Sequence, residues 1–237
     1  IKPVMEYEPG PISPMLSKAL DTKNVTLITD SIVRKITTFS DGYAKGVELI
    51  NRNSNKIDCL TSDIIVLSAS PFETVRLLKS SYSNKHLNGL GNSSGLLGKY
   101  IFEHIQSEYF GFLPKKLWVK NKINNLNPFK PNAEPHGFYI TPFRKLEKTN
   151  SNFIGNYGMQ GGISTSQKSI YLLSFGETLP NLNNCIELDS NKKDKWGMPI
   201  IKINFKWSDN DLKMWNDQKK VIEQIISNFE NEIGLKI

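Results

Sequence analysis

The stretch IIVLSASPFETVRLL, residues 64–78, sets the expectations for the fold. Its four large apolar residues, 64–67, form a continuous run that is typical of a strand buried on both faces. Ser70, Pro71 and Glu73 have the spacing of a capping box, so we predict a helix that begins at Pro71 and continues to about residue 80.

Three small residues, 68–70, lie at the turn between this strand and this helix. Small side chains let another group approach the backbone, and the start of a helix carries free N–H groups and the positive end of the helix dipole. In open α/β sheets, ligands bind at the carboxyl ends of strands. The turn therefore indicates either a ligand site or a purely structural connection between strand and helix.

Composition and length place the chain among ordinary soluble proteins. Its 237 residues suit one large domain or two smaller ones, and 38% of them are hydrophobic and 22% charged. No run approaches the ~18–20 apolar residues of a membrane span. No signal peptide is visible in this chain. We therefore expect a cytoplasmic location, or else one that the sequence does not identify.

The net charge of +7 has two interpretations. One is a lysine-rich solvated surface, and the other is a nucleic-acid or anionic-membrane partner. The lysines occur as scattered pairs without interleaved aromatic residues, and no nucleic-acid motif is present, so we expect no nucleic-acid partner. Cys59 and Cys185 lie too far apart in sequence to form a metal motif or a disulfide framework, and we expect both to be reduced and no metal to bind.

The first part of the chain predicts a short helix followed by an antiparallel meander. Ser13 is the expected cap of the helix and Pro14 its first residue. Asp41-Gly42 is a hairpin signal between two segments rich in β-branched residues. We predict strands at residues 24–29, 31–38, 44–50 and 56–60.

The second part predicts a largely antiparallel sheet and a long final helix. Apolar and aromatic segments separated by turn residues indicate strands at about 109–113, 137–143, 153–162, 171–177, 185–188 and 200–207. The segment Ser208-Asp209-Asn210-Asp211 would cap the helix and Gly234 would end it. Its apolar residues fall on one face at helical spacing: Leu212, Trp215, Ile222, Ile225, Ile226, Phe229 and Ile233. The expected fold class is α/β, becoming α+β in the second half.

Several segments, in this order, resemble the glucose–methanol–choline family of FAD-dependent alcohol and sugar oxidoreductases. Residues 65–78 are similar to the second signature of that family, in which a turn of small residues packs beside the flavin. The other similar segments are 24–36, 44–48, 92–104, 137–144, 157–162, 177–184 and 193–199. Segment 92–104, NSSGLLGKYIFEH, resembles the family pattern Gly-Leu-Val-Gly-Arg-Asn-Leu-Met-Asp-His.

The resemblance implies two domains and a set of site residues. Residues 1–106 would form a partial FAD-binding domain with a β-meander, and residues 107–237 a substrate domain with an antiparallel sheet packed with helices. Val33 would lie by the adenine end of FAD, while Ser68, Ala69 and Ser70 would line the cofactor and His104 matches a position near it. Tyr157 and Gln160 would face the substrate, although strand packing is their competing role.

Two family features are missing from the sequence. No Gly-x-Gly-x-x-Gly turn is present to hold the FAD pyrophosphate, and no His follows Trp207, where the family carries its catalytic base. The family also commonly has Gly where this chain has Ser70 and a small non-proline residue where it has Pro71, so the cofactor has less room at that turn. The chain begins at Ile1 rather than Met, and we expect it to be a piece of a longer protein.

The expected function is therefore that of a fragment, inactive in isolation, of an FAD-dependent oxidoreductase. The parent enzyme would oxidise a CH–OH group of a sugar, polyol or alcohol, pass the hydride to FAD and use an electron-acceptor partner. One alternative is a cofactor-free module that binds a carbohydrate or a protein. The other is a basic nucleic-acid binder, which would show steep salt dependence.

Overall fold

The computed structural model describes residues 14–117, 136–143, 152–164 and 168–236. Helices and antiparallel sheets are mixed along the chain, which gives it α+β character. The chain divides into two compact units, the first formed by residues 1–97 and 188–202 and the second by residues 98–187 and 203–237. Within the described ranges, no helix is long and apolar enough to cross a membrane.

The first unit is built on the predicted meander. Its elements are the helix α1 (Pro14–Asp21), the strands β1 (Ser31–Thr38), β2 (Ala44–Asn51) and β3 (Ile57–Thr61), and the helix α2 (Pro71–Ser80). The strands pair antiparallel in the order β1-β2-β3. The expected cap of α1, Ser13, lies outside the described residues.

The predicted hairpin turn between β1 and β2 is confirmed. Gly42 has a φ of 98°, which glycine adopts without steric cost. The Asp41 carboxylate accepts a hydrogen bond from the Tyr43 N–H at 3.1 Å, which fixes the turn locally.

Two predicted strands are wrong. Residues 24–29 and 64–67 belong to no sheet, and no described strand pairs with either segment. Ile64 is 78% exposed and Val66 81% exposed, so the apolar run is not buried on two faces. A strand needs a neighbour to accept its backbone hydrogen bonds, and the described part of the chain supplies none here.

Helix α2 begins at Pro71 as predicted, but the predicted capping box is wrong. Ser70 is the N-cap residue, with φ 71° and ψ 161°, and its side chain makes no capping hydrogen bond. The Glu73 carboxylate instead lies 3.3 Å from the Arg76 guanidinium. At the other end of α2, the Ser81 hydroxyl accepts the Ile36 N–H at 2.8 Å and thereby ties the helix to β1.

Arg76 attaches α2 to the hairpin formed by β8 (Cys185–Lys193) and β9 (Pro199–Asn204). Its Nη2 lies 2.7 Å from the Asp194 carboxylate, and its Nε donates to the Pro199 carbonyl at 2.8 Å. Burial raises the pKa of Asp194, but hydrogen bonds from Met198, Arg76 and Trp196 outweigh it and hold the pKa below its ordinary value.

The second unit is a sheet covered on one face by a long helix. The strands β4 (His104–Phe112), β5 (His136–Ile140), β6 (Tyr157–Ser164) and β7 (Ser169–Glu177) pair antiparallel in the order β4-β7-β6-β5. The helix α3 (Asp209–Ile233) packs on β4 and β7. A short 3-10 helix, Lys115–Leu117, follows β4.

The predicted caps of α3 are confirmed, and its predicted apolar face is partly corrected. Ser208 and Asp211 form a complete capping box, and Gly234 ends the helix in a left-handed conformation. The buried residues of α3 lie three or four positions apart and face the sheet: Asp211, Met214, Gln218, Ile222 and Ile226. Leu212 is exposed instead.

Candidate functional site

A cavity of about 770 Å³ lies in the first unit, beside the turn of small residues. Residues 64–69 form one wall, and side chains and backbone of the meander form another, including Val33, Gly46, Val47 and Leu60. The volume falls in the range of ~300–1,000 Å³ that is usual for small-molecule and cofactor sites.

Three of the expected cofactor residues come together in this cavity. Val33, Ser68 and Ala69 all belong to its lining, although they lie on two separate segments of the chain. Gly46 allows β2 to lie close to β3, since a Cβ at this position would collide with the Leu60 carbonyl. The described lining residues are apolar or small and uncharged, so the cavity suits an uncharged ring system rather than a pyrophosphate.

Ser70 holds a strained backbone at the end of the same turn. Its φ of 71° with ψ of 161° lies in a region that is essentially restricted to glycine. The side chain is exposed, and no capping hydrogen bond offsets the strain. Residues in such conformations cluster at ligand sites, so the strained backbone of Ser70 makes this turn a candidate ligand site.

We expect Ser70→Gly to raise the free energy of unfolding by about 1 kcal/mol, because glycine removes the steric cost while losing more backbone entropy on folding. Urea unfolding followed by circular dichroism measures the change. Ser68→Gly is the matched control: Ser68 has no positive φ, so this variant gains no relief and is expected to be neutral or slightly destabilised. A stabilisation of equal size in both variants would contradict the role of strain.

Among the described elements, no helix packs on the face of the second sheet that is turned away from α3, and this open face carries other expected site residues. His104, at the start of β4, is exposed and meets the Phe175 ring edge-on, with centroids 5.9 Å apart. Gln160 is half-buried and lies opposite Tyr139 in the register of β5 and β6. The Tyr139 ring stacks on Phe175, with centroids 6.2 Å apart and an interplanar angle of 22°.

The register places these four side chains on the face turned away from α3. Phe175 lies opposite Gly158 on β6, and Gly162 lies on the same face two positions beyond Gln160. Both glycines are buried in the sheet, and neither adds a side chain beside the two stacked rings. Aromatic residues on β5 and β7 are visible in the sequence, but sequence reasoning missed this stack because only the register brings Tyr139 and Phe175 together.

Tyr157 lies on the opposite face of the same sheet. It is fully buried, and its hydroxyl donates a hydrogen bond to the Asp217 carboxylate at 2.6 Å. Its ring meets Phe143 at a centroid distance of 5.2 Å. This placement favours the packing role of Tyr157 over contact with a substrate, so only Gln160 of the two expected substrate residues lies on the open face.

No group of three or more His, Cys, Asp and Glu side chains in the described ranges could hold a metal ion. Cys59 is exposed and Cys185 is buried, and both are free thiols.

The two remaining histidines of the chain are His86 and His136. The Nε2 atom of His86 lies 3.0 Å from the Gly42 carbonyl at the β1–β2 turn. The backbone of His136 lies in β5.

No family model matches the chain. It is similar to a 2-methyl-1,2-propanediol dehydrogenase from Mycolicibacterium austroafricanum, with 29% identity over 218 residues, or 80% of this chain and 38% of that protein. It is also similar to a gluconate 2-dehydrogenase flavoprotein from Pantoea cypripedii, with 24% identity over 180 residues, or 65% of this chain and 28% of that protein. The matched region thus spans well under half the length of each of these relatives.

Proposed function

We propose that this chain is part of an FAD-dependent oxidoreductase of the glucose–methanol–choline type, which oxidises a CH–OH group of an alcohol, polyol or sugar. The observation that carries the proposal is the shared cavity of Val33, Ser68 and Ala69. These are residues to which the sequence resemblance assigns cofactor contacts. The similarity to a diol dehydrogenase and to a flavoprotein supports the same reaction class.

The cavity would hold the uncharged part of the cofactor. The chemistry that bound FAD supplies is acceptance of a hydride from the substrate carbon. The aliphatic side chains of Val33, Val47 and Leu60 would exclude water from one side of the bound cofactor, and the small residues Ser68 and Ala69 would let the cofactor approach the backbone. The additional Cβ and hydroxyl of Ser70 lie just beyond this lining.

The open face of the second unit would orient the substrate. Gln160 offers an amide donor and acceptor to a hydroxyl group, and His104 offers a ring nitrogen. The Tyr139–Phe175 stack offers an aromatic surface on which the C–H groups of a polyol or sugar can pack. No His follows Trp207 in this chain, so the proton acceptor of the parent reaction would come from outside it.

We further propose that the chain works only as a piece of a longer flavoprotein. The exposed side chains of Ile64 and Val66 support this, because they have the pattern of a buried strand without a partner strand among the described residues. In this proposal, residues 1–106 belong to the FAD-binding part and 107–237 to the substrate part. The isolated chain would then turn over no alcohol, and an electron acceptor would act on the whole enzyme.

Titration of the purified chain with FAD tests the cavity. We expect a saturable shift of the visible flavin bands that is lost on desalting, because the site would be incomplete. Ala69→Leu should weaken this binding about tenfold by filling the cavity, since overpacking costs about 1–3 kcal/mol. Ala44→Leu is the matched control, because Ala44 is exposed and lies outside the cavity lining.

An unperturbed flavin spectrum at all concentrations would contradict the cofactor assignment. Turnover of a sugar or alcohol by the isolated chain with an artificial acceptor would contradict its inactivity. A second candidate function, a cofactor-free carbohydrate-binding module, is favoured by the stack of the exposed Tyr139 ring on the half-buried Phe175 ring. Glycan binding that Tyr139→Ala abolishes, without any response to FAD, would support that candidate instead.

A further inference from the structure

A second cavity of the first unit, of about 330 Å³, has a different chemical character. Its lining includes four cationic side chains and a single carboxylate: Arg34, Lys35, Lys79, Lys193 and Glu48. Ser80 and Tyr82 belong to the same lining. Such a concentration of positive charge in a concave site raises the local concentration of anions.

Two of the four cations, Arg34 and Lys35, reach this cavity through an irregularity in β1. Val33 lies opposite Leu49 and Lys35 lies opposite Glu48, so the register shifts at Arg34. In a regular strand, consecutive side chains point to opposite faces. The β-bulge allows Arg34 and Lys35, although adjacent in sequence, to line the same cavity, and bulges commonly redirect side chains beside functional sites.

Within the described ranges, the positive charges of the cavity are only partly balanced by carboxylates. Glu48 pairs with Arg34, with Oε1 3.0 Å from Nε. The Lys35 ammonium lies 5.1 Å from the centre of the Tyr82 ring. In the described part of the chain, no carboxylate lies within ion-pair distance of Lys79 or Lys193.

Ser80 belongs to the same lining and carries a buried hydroxyl group. Its Oγ has no hydrogen-bond partner among the described residues. A buried hydroxyl without a partner carries a desolvation cost. The lining therefore combines two ammonium groups that form no ion pair within the described ranges, those of Lys79 and Lys193, with a residue whose hydroxyl is unsatisfied.

We propose that this cavity is a binding site for a small phosphate-bearing molecule. The guanidinium group of Arg34 and the ammonium groups of Lys35, Lys79 and Lys193 are the donors that proteins use for phosphate oxygens. The small volume of about 330 Å³ favours a small ligand over a nucleic-acid strand, which would need an extended groove. This site is lined by different residues from the proposed flavin cavity and does not depend on it.

Calorimetric titration with inorganic pyrophosphate at constant ionic strength tests the proposal. We expect saturable binding at one site per chain. The double variant Lys79→Gln with Lys193→Gln should weaken it at least about tenfold, because each charge-assisted hydrogen bond contributes strongly to affinity. The control Lys213→Gln with Lys220→Gln makes the same change in net charge on exposed positions of α3 and should leave the affinity unchanged.

Glu48→Gln is expected to change the affinity for pyrophosphate in the opposite direction. It removes the one carboxylate among the described residues of the lining and releases Arg34, so the affinity for pyrophosphate should rise, by up to about fivefold. Damage to the fold would not produce tighter binding. Equal loss in both lysine double variants, binding without saturation, equal affinity for succinate, or binding of poly-glutamate alone would each overturn the proposal.

Discussion

Replacement of Tyr157 with Ala is expected to lower the free energy of unfolding of the second unit by about 4 kcal/mol, as for other large buried aromatic residues. The side chain is fully buried between the sheet and α3, next to Phe143 and Phe153. Its removal would leave a cavity and would also take a hydroxyl donor from the Asp217 carboxylate. Urea unfolding followed by tryptophan fluorescence measures the loss.

Two further variants distinguish the packing role of the Tyr157 ring from the contribution of its hydroxyl group and from a role in substrate contact. Tyr157→Phe keeps the ring and removes only the hydroxyl donor, and should cost about 2 kcal/mol, because hydrogen bonds to charged groups contribute about 1.5–3 kcal/mol. Tyr139→Ala, on the same sheet but 58% exposed, should cost less than about 1 kcal/mol. Equal losses in Tyr157→Ala and Tyr139→Ala would contradict the assignment of Tyr157 to the core.

Arg76→Ala is expected to destabilise the first unit by about 2–3 kcal/mol, because it leaves the partly buried Asp194 carboxylate without its cation. The side chains of Arg76 and Asp194 are 12% and 22% exposed, so solvent screens the pair only in part. The loss of the hydrogen bond to the Pro199 carbonyl adds to the cost. Glu73→Ala removes the more exposed partner of Arg76 and should cost less than about 1 kcal/mol.

The pH dependence of the same variant checks the mechanism. Because the pKa of Asp194 is lowered in the folded state, its contribution to stability is present above the ordinary pKa of 3.8 and is lost as the pH falls through the folded value. Arg76→Ala removes one cause of the lowering, so acid unfolding should begin at a higher pH. In Asp194→Asn this contribution is absent, and an acid profile identical to that of the unmodified chain would contradict the assignment.

Among the correctly predicted features, several turns and helix ends are determined by residues close to them in sequence. The Asp41-Gly42 turn and both ends of α3 depend on hydrogen bonds between residues a few positions apart in sequence. The local sequence is therefore sufficient to predict them. The run of residues 64–67 has an equally clear pattern, but a strand also needs a partner, and the described chain offers none. At Ser70, the spacing of the capping box was present, while the backbone conformation prevented the capping bond.

The candidate sites depend on features that a sequence pattern does not contain. The resemblance named Val33, Ser68 and Ala69, and these residues share a cavity because the meander folds back on the turn. The cationic cavity was not predicted, because consecutive cations in a strand are expected on opposite faces and only the bulge at Arg34 changes that. The stack of Tyr139 on Phe175 likewise follows from strand register alone.

The attachment of Arg76 has a consequence for the order in which the chain can fold during synthesis. Its ion-pair partner Asp194 follows 118 residues later, on the hairpin that returns to the first unit. At about 5–20 residues per second, a ribosome would add that hairpin roughly 6–24 s after Arg76. Helix α2 therefore lacks the ion-pair partner of Arg76 until the whole region between Arg76 and Asp194 has been translated. The unit that begins first is then completed only after the strands of the second unit have been made.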